Sequence, residues 1–116
     1  MRGNIDASLN IDTGDSKIVI ASGWIEFQDN DPGSVQVWVG VGQGKNATNG
    51  VAVYGKGWCT VNRPAPGNSQ RTTWQCNVRT TDGAGYKNGN GDAGAVVIAT
   101  GIQPYPWGRD VSLKKN

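Results

Sequence analysis

With 116 residues, eleven Lys/Arg against nine Asp/Glu and a net charge of +2, the chain is long enough for one domain with one core, and its basic residues are too scattered for a nucleic-acid footprint. It contains no histidine, which removes the commonest general base and the commonest zinc ligand together. No apolar run approaches the ~20 residues of a membrane helix, so neither nucleic acid nor membrane insertion is expected.

Eighteen glycines and abundant Asn, Thr, Ser and Asp imply many tight turns. Along the chain, Ile5, Ala7, Leu9 and Ile11 alternate with polar residues and predict a strand with one buried face. Thr13-Gly14-Asp15-Ser16 is turn chemistry. Lys17 to Phe27 is apolar on both parities, with Val19, Ala21, Ile25 and Phe27 on one and Ile18, Ile20 and Trp24 on the other. This pattern predicts a central strand, or one that changes face at a bulge near Ser22-Gly23.

Residues 28–33 form a loop, and the next strand is the cleanest in the chain. Val35, Val37, Val39 and Val41 make one face, with Gln36, Trp38, Gly40 and Gly42 on the other, so Trp38 should point away from the valine core. After a polar loop over 44–50, Val51, Val53, Cys59 and Val61 share one parity, while Tyr54, Lys56 and Trp58 share the other. Thr72, Trp74, Cys76 and Val78 then alternate with Thr73, Gln75, Asn77 and Arg79. Direct pairing of Cys59 with Cys76 sets Val61 opposite Trp74 and Gly57 opposite Val78, a register that keeps both apolar faces together. A disulfide within this hairpin is the expected state. It implies an oxidising compartment, hence a secreted or cell-surface protein, and contributes about 3 kcal/mol by loop-closure entropy.

Thr81 to Gly94 is too rich in Gly and Asn to predict regular structure. Ala95 to Ile102 reads as a buried strand, Gln103 to Gly108 as a break imposed by Pro104 and Pro106, and Val111 with Leu113 as a short last strand. Seven short strands in residues 1–116 predict a single antiparallel immunoglobulin-like β-sandwich carrying the intra-hairpin disulfide Cys59–Cys76.

No nucleophile-elbow, phosphate-loop or dinucleotide signature is present, and most carboxylates fall in turns or on polar faces, so no enzyme is expected. Glu26, between Ile25 and Phe27, is the exception. Three constellations remain. Trp38, Tyr54 and Trp58, with Gln36, Lys56, Gln75, Asn77 and Arg79 as polar neighbours, suit stacking on sugar rings with amides and guanidinium groups bonding the hydroxyls. Covering loops, or an inverted parity, would instead bury these rings. Asn88-Gly-Asn90-Gly-Asp92, with Asp82 nearby, resembles the opening of a calcium loop but lacks its charge and its closing acid, and Asp29-Asn30-Asp31 is no better, so calcium is a minor candidate beside no cofactor at all. The loop 62–71, stapled and Pro-rich, has the form of a proteinase inhibitor's segment with Arg63 as specificity side chain, or of an ordinary hairpin connection. Asn46-Ala47-Thr48 matches a glycosylation sequon.

The expected function is an extracellular, non-catalytic module that recognises carbohydrate or a surface glycoconjugate through exposed aromatics. A structural, adhesive or assembly domain is the alternative, its aromatics packing on a protein partner or a second copy; a proteinase inhibitor is the third reading.

Overall fold

The structure is a computed structural model and describes residues 1–44, 53–81 and 83–115. The sequon Asn46-Ala47-Thr48, Val51 and Asp82 lie outside the described residues. The strands are β1 (Arg2–Ile5), β2 (Ser8–Ile11), β3 (Ile18–Glu26), β4 (Ser34–Gln43), β5 (Val53–Asn62), β6 (Arg71–Thr80), β7 (Gly89–Ile98) and β8 (Tyr105–Lys115). β1 and β2 are one strand interrupted at Asp6-Ala7. Ile5 pairs with Gly23 but Asn10 pairs with Ile20, so two extra residues bulge out against β3. The Asp6 carboxylate accepts a 2.7 Å hydrogen bond from Ser22 Oγ and fixes the bulge.

These segments form a closed seven-strand barrel, not the open immunoglobulin-like sandwich that the strand count suggests. The difference lies in β3. It pairs with β1 and β2 along one edge and with β6 along the other, from Ile18↔Arg79 to Glu26↔Arg71, and so joins the two ends of the sheet. Nor is the sheet purely antiparallel, because β2 runs parallel to β8 from Ser8↔Ser112 to Ile11↔Lys115. Where β8 has not yet reached that partner, the Arg109 guanidinium donates to the carbonyl of Ile5 at 2.8 Å and fills the seam.

Strict alternation fills the interior. Val19, Ala21 and Ile25 of β3, the four valines of β4, Trp74, Cys76 and Val78 of β6, and Ala93, Ala95 and Val97 of β7 all point inward. β3 therefore changes no face at Ser22-Gly23, and Ile18, Ile20 and Trp24 lie half-buried on the outer wall. Three large rings are accommodated by glycines of the inner wall: Trp74 lies against Gly23, Trp107 against Gly3, and the buried Tyr86 hydroxyl against Gly55. Tyr86 donates to the Val41 carbonyl at 2.9 Å and plugs one end. Trp107 is half-buried and packs on the core.

Two segments extend further than expected. β7 begins at Gly89, inside the Gly/Asn-rich run: Gly89 and Gly91 fall on the inward parity of Ala93, where a Cβ on Gly91 would stand 2.7 Å from the Gly42 carbonyl oxygen and 3.4 Å from Leu113, while Asn90 and Asp92 face solvent. β8 passes through Pro106, which stands opposite Val96 on a stretch whose other edge lacks a ladder partner, so no hydrogen bond is forfeited there.

The disulfide Cys59–Cys76 is present, with a Cα–Cα distance of 5.2 Å. β5 and β6 pair at Gly55↔Thr80 and Lys56↔Arg79, and that register continued brings the two cysteines opposite each other, as the sequence pattern required. The covalent bond extends a seam whose ladder is only two pairs long. It suits an oxidising compartment, and no helix among the described residues is long and apolar enough to cross a membrane.

Candidate functional site

Because Val35 to Val41 point inward, the intervening residues of β4 face solvent, and the same holds for the even-numbered residues of β5 and β7. The outer wall is then a grid whose rows cross the strands. One row is Pro106, Val96, Trp38 and Trp58; the next is Gly108, Gly94, Gly40, Lys56 and Arg79; the third is Asp110, Asp92, Gly42 and Tyr54. Trp38 and Trp58 are direct cross-strand partners, stacked with ring centroids 5.9 Å apart and planes 21° from parallel. They are 43% and 53% exposed and Tyr54 is 51% exposed, so no described loop buries the set. The Trp38 indole N–H donates to Gln36 Oε1 at 3.1 Å, which fixes the rotation of that ring. Tyr54 lies flat across β4. A methyl group on Gly40 would fall 2.5 Å from its hydroxyl, so the missing side chain is what lets the ring lie down.

The polar residues expected beside these rings divide. Asn77 and Gln75 are exposed on β6, and the register carried along the disulfide seam sets Asn77 beside Trp58 and Gln75 beside Thr60. Lys56 stands between Tyr54 and Trp58 on β5. Arg79 is turned away, donating to Asp15 Oδ2 at 3.1 Å. The Asp15 carboxyl is held below its ordinary range, chiefly by the backbone N–H of Lys17 and also by Arg79. Asp92, read from the sequence only as a calcium candidate, and Asp110, which sequence reasoning did not place at any site, face each other directly on β7 and β8 with no ion pair or hydrogen bond among the described residues. Ile98, 41% exposed on the outward parity of β7, extends the apolar area towards one barrel end, whereas Tyr105, 43% exposed, stands opposite the inward-facing Val97 with its ring edge-on to Trp107 and is not part of this wall.

The calcium-like run is not a loop. Asn90 and Asp92 lie on β7 with side chains strung along the strand rather than converging, and Asn88 Oδ1 accepts the Lys115 N–H at 2.7 Å. Asp31, in the other acidic run, accepts the backbone N–H of Gln28 at 2.7 Å. Among the described residues, no group of three or more His, Cys, Asp or Glu side chains is placed to hold a metal ion.

The stapled loop lines a cleft of about 480 Å³ with Asp29 and Gly33. Its Arg63 is not offered to a partner. The guanidinium donates to Gln70 Oε1 at 2.6 Å and to the Asp31 carbonyl at 2.8 Å, and sits over the Phe27 ring. The segment acts as a clasp between two loops.

Elsewhere on the outer wall, on β3 and β6, Arg71 lies 4.0 Å over the Trp24 ring, and Glu26 joins Arg2 at 2.7 Å and Arg71 at 3.4 Å. Glu26 is thus a structural anchor rather than an isolated acid. The hydrogen bond from Arg2 is the main reason its carboxyl titrates below the ordinary glutamate value, with the charges of Arg2 and Arg71 adding to it. A depressed folded-state value means that this contribution is complete above the unfolded-state value and is lost as pH falls through the folded one. A carboxyl titration followed by NMR should give Glu26 a midpoint below that of a free glutamate, and Arg2→Ala should raise it. An unchanged midpoint in that variant would remove Arg2 as the cause.

No protein-family model, curated protein or solved structure matches the chain, so the meaning of this wall rests on its own geometry.

Proposed function

We propose that this barrel is a secreted or surface-displayed, non-catalytic module that recognises carbohydrate or a surface glycoconjugate through the outer wall of β4 and β5. The stacked, exposed Trp38–Trp58 pair carries the reading. Two indoles side by side on a solvent-facing sheet contribute nothing to the core, yet offer flat faces to the CH surface of a sugar, while Asn77, Gln75 and Lys56 supply donors and acceptors for hydroxyls. Arg79, committed to Asp15, contributes charge at the margin rather than a direct contact.

Soluble glycans should quench tryptophan fluorescence, and Trp58→Ala should weaken binding about tenfold, the scale of a lost aromatic contact of ~1.5 kcal/mol, without lowering the melting temperature by more than a few degrees. Full quenching retained in Trp58→Ala would refute the assignment. The exposure of Ile98 beside the tryptophan pair favours, as a second reading, an assembly domain whose apolar wall packs on a partner or a second copy. Sedimentation of a strict monomer at high concentration would count against self-assembly.

A further inference from the structure

We infer that the glycan lies across the strands, as an extended chain with one sugar over each of β8, β7, β4 and β5, and that it carries no acidic groups where it passes β7 and β8. This rests on the carbohydrate reading above. The apolar side chains Pro106, Val96, Trp38 and Trp58 form one uninterrupted line perpendicular to the strands. Followed along β5 instead, the two rings Tyr54 and Trp58 are separated by Lys56, so a chain laid along that strand would meet an ammonium group between its two stacking positions.

Beside the apolar line runs a bare strip. A methyl group on Gly94 or Gly108 would meet nothing closer than a backbone oxygen at 3.8 Å, and neither glycine has a left-handed φ. Neither packing nor conformation demands glycine at these two positions, although it weakens a strand; close approach of a ligand does account for it. On β4 the strip is floored by the flat Tyr54 ring over Gly40. Neighbouring strands lie ~4.8 Å apart, about the length of one pyranose ring, so the crossing direction gives each sugar an equivalent place. The far side of the strip is bounded by Asp92 and Asp110, whose carboxylates are free among the described residues to accept sugar hydroxyls and repel uronates.

The test is calorimetric titration of the protein with β-1,4-linked cello- and chito-oligosaccharides of one to six sugars, and with galacturonate oligomers as the acidic comparator. Affinity should rise about fivefold per sugar up to the fourth and then level, the scale of one added aromatic or apolar contact. Gly94→Leu, and separately Gly108→Leu, should reduce the hexamer's affinity to that of a dimer while leaving the melting temperature and the monosaccharide response unchanged. Asp92→Asn with Asp110→Asn should raise galacturonate affinity at least threefold. Hexamer binding no tighter than monomer binding, or full hexamer affinity in both leucine variants, would overturn the crossing path and leave the carbohydrate reading standing. Absence of binding and of fluorescence change with all three series would overturn both.

Discussion

Gly23→Val is expected to destabilise the barrel by at least ~3 kcal/mol, the upper end of the overpacking range, which is a large part of a typical stability of ~5–15 kcal/mol. Gly23 lies on the inner wall. A methyl group there would stand 2.2 Å from the Asn4 carbonyl oxygen and 2.5 Å from the Trp74 ring, and one of those neighbours is backbone on the adjoining strand β1. The ring cannot swing away cheaply, because Trp74 is buried and its indole N–H bonds the Trp24 carbonyl at 3.3 Å. Urea denaturation should show a lower midpoint with an unchanged slope. Trp74→Leu in the same background should recover the part of the loss due to the ring but none of the part due to Asn4. Gly33→Ala, with nothing within 4 Å, is the matched control and should lie within ~0.5 kcal/mol of the parent. Equal melting midpoints for Gly23→Val and the parent would show that the inner wall yields where this packing says it is rigid.

Removing the disulfide, as Cys59→Ser with Cys76→Ser, should cost about 3 kcal/mol and lower the melting temperature by roughly 10–20 °C. The entropic part follows from a sequence separation of 17. A further consequence is local. β5 is bound to β4 by a long ladder but to β6 by two register pairs, so the barrel should open first at the β5–β6 seam. Hydrogen exchange of the Thr81 amide, which donates to the Tyr54 carbonyl at 2.9 Å across that seam, should accelerate more than that of the β4 amides in the double variant. A melting temperature within 2–3 °C of the parent, equivalent to well under ~1 kcal/mol, would mean that backbone pairing alone holds that seam.

Much of this architecture was legible in particular residues. The valine ladder from Val35 to Val41 fixes which way Trp38 points, and the Cys59/Cys76 parity fixes the hairpin register, because a period of two allows no intermediate answer. Barrel closure was not legible. It depends on β3 serving two partners and on β2 meeting β8, pairings between distant segments that no local pattern encodes, whereas a strand count suits sandwich and barrel alike. The Gly/Asn run hid the start of β7, and with it the place of Asp92 on the outer wall, because tight turns and a strand with glycine on its inward face and Asn or Asp on its outward face share a composition. Tyr86 was lost in the same run, although an isolated aromatic among glycines was a usable signal for a core plug. The aromatic wall was visible from parity alone. The bare strip beside it was not, since only register shows that Gly40, Gly94 and Gly108 are neighbours.

The parallel pairing of β2 with β8 also bears on how the molecule is made. Ser8 must wait for Ser112, and until that late segment arrives both β2 and the growing sheet present open hydrogen-bonding edges. Such non-local closure places folding in the millisecond-to-second regime rather than microseconds. During that interval the half-built cylinder is a template for any other extended chain.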